Sequence, residues 1–336
     1  MKDANQFRVM TLNARGLRDD YKNCKMFNWI AKHNGHNSIT FLQETHSSPE
    51  IENKWRNRWR GDIVFAHGDS SSRGVAILIG ENLNIKINQR MLSSNGRYIL
   101  LLCEIQEKPY ILINYYAPND ELNQLILLKE IYERIDGFDL QAETEIIWGG
   151  DFNLFFDKDL EAFGGNPTKK FRSLETIQTI LEELDMCDIW RVRNPTSRRF
   201  TWKGNRISNK TKGKETIYRR LDYIFISTMC QASILKSDIV PAPNTDHSMV
   251  FLDITTSLDQ GKQGPSYWKF NNSLVNDQDY LTTIQNLITQ WKENLTMVLG
   301  ANAGYRLRWE YMKYKIRTKT IEFSKIKAKR NKKYNK

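Results

Sequence analysis

Cysteine is scarce and unpatterned in this chain. The four present, Cys24, Cys103, Cys187 and Cys230, show neither CxxC nor Cys/His spacing. That argues against a disulfide framework or a zinc site, and they read as reduced thiols of an intracellular protein. No apolar run approaches the ~18 residues that would cross a membrane. The opening residues, Met1 to Gln6, are polar and lack a secretory pattern. Acidic side chains are nearly missing from two stretches. Residues 191–220 hold 11 Lys/Arg against 1 Asp/Glu, and residues 305–336 hold 13 against 2.

What is present fits a packed enzyme-sized domain with an appendage: 336 residues, 40% hydrophobic and 11% aromatic. Residues 1–190 carry 22 Lys/Arg against 28 Asp/Glu, so the net charge of +11 resides in the two basic blocks. Concentrated positive charge is a footprint for a polyanion, although each block alone also reads as a solvated loop or tail.

The chain is organised around Glu145-Ile146-Ile147-Trp148-Gly149-Gly150-Asp151-Phe152-Asn153. The apolar run reads as a buried strand, the glycines as a tight turn at its end, and Asp151 and Asn153 as neighbours beyond it. Asp151 can exchange a proton and Asn153 can hold an oxyanion, a pairing suited to phosphodiester hydrolysis; an ordinary Asp-containing turn is the bland alternative. Other apparent strands also end in polar groups. Phe7 to Leu12 delivers Asn13, and Ser38 to Leu42 delivers Gln43-Glu44-Thr45. Glu44 reads either as a surface residue or as a hard oxygen ligand for Mg²⁺. A strand over 110–115 leads to Tyr116 and Asn119, both placed to touch a phosphate. Helices are expected near 21–34, 49–59, 122–135 and 170–184.

The basic block contains Phe200-Thr201-Trp202 and a hairpin-like run from Gly204 to Lys214. Basic residues interleaved with Phe200, Trp202 and Tyr218 suit backbone contacts plus stacking on bases. A returning strand carries Asp222, and Asp246-His247 enters a last strand over 249–254. Alone, that histidine reads as structural. The element order predicts an α/β (α+β) four-layer sandwich, two packed mixed sheets flanked by helices, with catalytic groups gathered at one solvent-facing rim.

Taken in order, Asn13, Glu44 in Gln-Glu-Thr, Tyr116 in Tyr-Ala-Pro-Asn, Asp151 and Asn153 in Gly-Gly-Asp-Phe-Asn, Asp222 in Leu-Asp-Tyr, and Asp246-His247 resemble the exonuclease–endonuclease–phosphatase superfamily. Its members include apurinic endonucleases and deoxyribonuclease I. Leu-Asn-Ala-Arg-Gly-Leu, Phe-Thr-Trp and Arg-Arg-Leu-Asp-Tyr-Ile-Phe are most similar to endonuclease domains of non-LTR (LINE-type) retrotransposon polyproteins. Trp268 to Leu274 resembles the linker those polyproteins place before reverse transcriptase. No Tyr/Phe-x-Asp-Asp polymerase motif occurs, so the chain is read as an amino-terminal piece or an isolated module.

The resemblance implies a Mg²⁺-dependent endonuclease, with Mn²⁺ as a substitute, that nicks one strand of double-stranded target DNA and leaves a 3′ hydroxyl to prime reverse transcription. It assigns Glu44, Asn13 and Asp246 to the metal, Asp151 to water activation and Asn153 to the phosphate. His247 becomes a donor held by Asp222, and Tyr116 positions the phosphate. Asn119, Arg15, Thr201, Trp202, Lys203, Arg206, Lys210, Lys212, Lys214, Arg219 and Arg220 are expected along the DNA, with Thr201 beside the nicked strand. Arg15 departs from the family, which often has Asp or Asn there, near the metal. Rival readings are a same-fold phosphomonoesterase and a nucleic-acid-binding module without catalysis. Residues 1–257 are expected to form the catalytic domain. Residues 258–336 are expected to form a linker and an amphipathic helical extension, with helices over 279–295 and 305–327, the second covered in Lys and Arg on its other face, toward RNA, DNA or an absent reverse transcriptase. Lys327 to Lys333 suits nuclear localisation, a weak signal. No membrane partner is expected.

Overall fold

The computed structural model describes residues 5–34, 37–69, 72–138, 143–167, 170–207, 213–256 and 272–299, with scattered positions from 312 to 327. The chain divides into two compact units, Met1–Ser266 and Tyr267–Lys336.

In the first unit the strands of one sheet are β1 (Gln6–Asn13), β2 (Ser38–Gln43), β3 (Gly61–Ala66) and β4 (Val75–Gly80). Next come β5 (Ile85–Leu92), β6 (Tyr98–Ile105), β7 (Lys108–Tyr116) and β8 (Glu145–Asp151), all of the second sheet. Two short strands follow, β9 (Ala162–Phe163) and β10 (Met186–Asp188). Then come β11 (Trp202–Ile207), β12 (Lys214–Arg219), β13 (Asp222–Ser227), β14 (Ile234–Pro241) and β15 (Ser248–Thr255). They assemble as two six-stranded sheets, β14-β15-β1-β2-β4-β3 and β10-β13-β8-β7-β6-β5, and a small sheet, β11-β12-β9. Both six-stranded sheets are mixed: β1 runs parallel to β2 and β7 parallel to β8, while the other pairings are antiparallel.

Alternation along the strands explains the layering. Phe7 and Val9 of β1 face the core between the sheets, with Ile99 and Leu101 of β6 and Leu112 of β7. Met10 and Leu12 face outward onto Met26, Phe27 and Ile30 of helix α1 (Asp20–Asn34). On the far side, Ile111 and Ile113 meet Leu127, Leu128 and Ile131 of the helix Glu121–Asp136, and Ile177 of the helix Phe171–Glu183. Helix, sheet, sheet and helix thus form the expected four layers. The expected helix near 49–59 is a 3₁₀ turn at Pro49–Ile51 followed by helix at Glu52–Arg56.

Two local readings are corrected. Strand β5 has no counterpart among the strands expected from the sequence, because its apolar alternation breaks where the register shifts between Ile87 and Gln89. Gly149 and Gly150 make no turn; they lie inside β8. A Cβ on Gly149 would stand 2.5 Å from the Phe41 ring, and one on Gly150 would stand 1.9 Å from the Tyr115 carbonyl oxygen. Close approach, not turning, requires glycine there.

The second unit holds helix Gln278–Leu299, where Tyr280 packs edge-on against Phe323 and shares a 2.7 Å hydrogen bond with Thr320. Most of the helix read over 305–327, and the run 328–333, lie outside the described residues.

Candidate active site

Register brings the polar strand ends together. Asn13 pairs with Gln43 at the end of β1 and β2, while Asp151 pairs with Tyr116 of β7 on one side and Asp222 of β13 on the other. Asn13 then bridges the two sheets. Its Nδ2 donates to Asp151 Oδ2 at 2.9 Å and to Glu44 Oε1 at 2.9 Å. The Tyr116 hydroxyl donates to the same Glu44 oxygen at 2.8 Å. Asp151 Oδ1 accepts the Asn153 backbone N–H at 2.9 Å. Glu44 and Asn153 both adopt left-handed backbone, φ 49° and 48°. Such conformations persist where surrounding bonds over-determine them.

Asp151 is buried, not solvent-facing as expected, and so are Asp222 and His247. Ligand atoms of the three lie within 4.8 Å of one another. His247 Nδ1 stands 2.8 Å from Asp222 Oδ2 and 3.1 Å from Oδ1. With Asp151 tied to Asn13 and His247 to Asp222, the trio reads as a proton-handling group more than an ion cage. Burial, then the Asp222 charge, pushes Asp151 up to about 7. Burial alone would lower His247, but the Asp222 carboxylate overrides it and raises the imidazole to about 9. Burial also pushes the Tyr116 hydroxyl upward, so it acts as a neutral donor.

The donor chemistry nearby fits a hard divalent cation at Glu44. Asp246 Oδ1 is buried without a hydrogen-bond partner, a second hard oxygen of the kind Mg²⁺ takes. Asn13 is a tether in this arrangement: its amide holds two carboxylates, and its Oδ1 accepts the Arg15 backbone N–H at 3.0 Å. Asp246 Oδ2 takes the Arg15 guanidinium at 2.9 Å and the Trp202 indole N–H at 3.1 Å.

The DNA-facing expectations divide. Lys203 and Lys214 are exposed on the small sheet, and Asn119 is exposed beyond β7. Arg206 pairs with Glu215 at 3.4 Å. Lys210 and Lys212 lie outside the described residues. Three assignments are corrected. Arg220 is fully buried, bonded to Glu161 at 2.7 Å and Asp188 at 2.6 Å, and stacked on Trp190 and Tyr223. Arg219 is buried, with its guanidinium on the Phe163, Tyr218 and Gly164 carbonyls. Thr201 is buried, and its hydroxyl accepts the Leu221 and Asp222 N–H groups at 2.9 and 3.0 Å. All three side chains are buried, although Thr201 remains among the residues that line the cleft beside His247. A cleft of about 330 Å³ beside His247 is lined by Phe200, Trp202, Lys203, Tyr218 and Thr245.

Sequence reasoning missed cations at the site, Arg97 and Lys170 on the Tyr116 and Asn153 side and Lys22 beside Arg15. The Arg97 guanidinium lies 4.6 Å over the Tyr116 ring, and Lys170 Nζ donates to the Asn153 carbonyl at 2.6 Å. Neither sits in a recognisable motif; only the fold brings them in.

Residues 10–247 match the Endonuclease/Exonuclease/phosphatase family. The Transposon TX1 uncharacterized 149 kDa protein of Xenopus laevis is 28% identical over 285 residues, covering 84% of this chain but 21% of that protein. Among solved structures, the AP endonuclease LMAP from Leishmania major superposes with a TM-score of 0.60 at 15% identity, covering 76% of this chain and 90% of that one. The Xenopus laevis APE2 catalytic domain gives 0.58 at 17% identity, covering 75% and 94%. An AP endonuclease from Archaeoglobus fulgidus gives 0.55 at 16% identity, covering 75% and 100%. These structures share the sandwich, and with the family match running from β1 to the start of β15, this chain belongs to the Endonuclease/Exonuclease/phosphatase family.

Proposed function

We propose that this chain is a Mg²⁺-dependent endonuclease that nicks one strand of duplex DNA and leaves a 3′ hydroxyl. Within a longer retrotransposon polyprotein, that hydroxyl primes reverse transcription. The observation carrying the reading is the position of Asp151, bonded through Asn13 to Glu44 and within 4.8 Å of the Asp222–His247 pair. Family membership and the likeness to a transposon protein support it.

Asp151, raised to about 7, accepts a proton from an attacking water near neutral pH. Asn13 and the Asn153 N–H aim its two oxygens. His247, cationic at neutral pH, donates to a phosphate oxygen while Asp222, accepting at Nδ1, holds its charge and ring orientation. Tyr116 and Arg97 line the phosphate side. Glu44 and Asp246 Oδ1 would hold Mg²⁺, or Mn²⁺ in its place, which would supply Lewis-acid charge for the scissile phosphate and the leaving oxygen. Exposed Lys203 and Lys214 hold the duplex backbone. The basic C-terminal segment, residues 305–336, contacts RNA, DNA or a reverse transcriptase, and the protein acts in the nucleus.

A supercoiled-plasmid assay tests the reading. Open circles should form with Mg²⁺ and not with EDTA, and a DNA polymerase should extend them without phosphatase treatment. Release of phosphate from monoesters without nicking would favour the phosphomonoesterase rival instead.

A further inference from the structure

Arg15 engages two of the oxygen donors clustered at this rim. Its backbone N–H takes Asn13 Oδ1 at 3.0 Å, and its guanidinium takes Asp246 Oδ2 at 2.9 Å. The Arg15 side chain is nonetheless 63% exposed, so its remaining N–H groups face solvent at the mouth of the site. Lys22, from α1, donates from Nζ to the Arg15 carbonyl at 2.7 Å and lies within electrostatic range of both Asp246 and Glu44. The loop carrying Arg15 is held onto the Glu44 strand end by Gly16 N–H to Glu44 O at 2.7 Å and Leu17 N–H to Thr45 O at 3.0 Å. Two cations therefore stand within electrostatic range of Asp246 and Glu44, Arg15 on a loop whose position is set by backbone bonds and Lys22 on α1.

Resting on the endonuclease reading above, we propose that Arg15 and Lys22 form a fixed-charge phosphate clamp in place of a second divalent cation. The chain then takes up a single divalent ion, at Glu44. The physical argument has two parts. A second ion would need Asn13 Oδ1 and Asp246 Oδ2, which Arg15 already engages, and would add to the positive charge that the first ion and the guanidinium together bring to Asp246. A guanidinium anchored on one edge by Asp246 presents its other edge to a phosphodiester oxygen pair, the geometry for which arginine is suited and lysine is not. The ligand is the sugar-phosphate backbone of the substrate strand, bound whether or not metal is present.

Two measurements on the full chain test this without turnover. The first is Mn²⁺ uptake followed by electron paramagnetic resonance. Wild type should bind one ion, Glu44→Gln should lose it, and Arg15→Asn should gain a second. Asparagine tolerates the left-handed φ of 50° found at this position, so that variant should fold. The second is duplex binding in EDTA across a salt series. Arg15→Asn and Lys22→Gln should each lower the log–log slope by about 0.9, the value for one phosphate no longer neutralised. Two ions in wild type, one ion in Arg15→Asn, or an unchanged slope in both variants would each overturn the clamp. Plasmid nicking is scored separately, so loss of this inference leaves the endonuclease reading to its own test.

Discussion

Thr201 Oγ1 accepts the backbone N–H of Asp222 at 3.0 Å, with the threonine side chain buried. The hydroxyl also takes the Leu221 N–H, and the Thr201 carbonyl takes Ser248 N–H at 2.6 Å. One residue thus joins the strand starts that carry Asp222 and His247. Thr201→Val keeps the shape and strands two N–H groups, which should cost about 1–3 kcal/mol. We expect a lower kcat with little change in KM, and near-normal behaviour for Thr201→Ser. Urea unfolding and nicking kinetics check both; wild-type stability in Thr201→Val would remove the role assigned to this bond.

The pH profile should be bell-shaped. Asp151 must lose its proton, so the rate climbs through about 7; His247 must keep its own, so the rate falls through about 9. Asp151→Asn should erase the acid limb in whatever activity persists, and His247→Gln the alkaline limb. Stability should follow pH as well. Because folding raises His247 from its ordinary 6.5 to about 9, its contribution is full below 6.5 and is lost as pH rises through about 9. The stability gap between wild type and His247→Gln should therefore shrink over that window in chemical denaturation.

Removing either proton-handling group should cost about 10²–10⁴-fold in rate. Because Asp151 is buried and accepts from Asn13 and Asn153, alanine there would also strand those donors. Asp151→Asn is the cleaner variant, with circular dichroism as the folding control. Nicking at the wild-type rate by Asp151→Asn would end the proposed mechanism.

The exposed lysines of the small sheet should control salt dependence. Lys203→Ser and Lys214→Ser should each flatten the log–log salt dependence of duplex binding, by roughly 0.9 for each phosphate left unneutralised. Arg206→Ser should do less, since Glu215 already neutralises it. Parallel salt titrations for wild type and the Lys203/Lys214 double variant would mean this face does not meet the backbone.

Glu161 accounts for the burial of Arg220. Buried itself, it accepts from Arg220 at 2.7 Å, Arg191 at 3.1 Å and the Tyr223 hydroxyl at 3.0 Å. Burial would raise its carboxyl, but Arg220 holds it below the usual range. Glu161→Ala leaves a buried cation short of a partner and should cost about 3–5 kcal/mol. A shift in the urea midpoint measures it; an unchanged midpoint would show the network to be dispensable.

The strands that lead to Asn13, Glu44, Tyr116 and Asp151 were legible from residue order alone, because short apolar runs closing on polar residues are local patterns. So was the layering, since strands apolar on both faces must be covered on both faces. Local composition misled where charge stood for exposure. Arg219 and Arg220 look like their lysine neighbours until Glu161 and Asp188, many residues away, draw Arg220 inside. That Asn13 tethers Glu44 to Asp151, that Thr201 bonds the Asp222 backbone, and that Arg15 engages Asp246 follows from the folded chain and not from any local run of residues. The same holds for Arg97 and Lys170, which enter from segments with no motif. Those relationships depend on register across two sheets and on side-chain reach of a few ångströms, quantities set by packing among residues far apart in the chain and carried by no local pattern of residues.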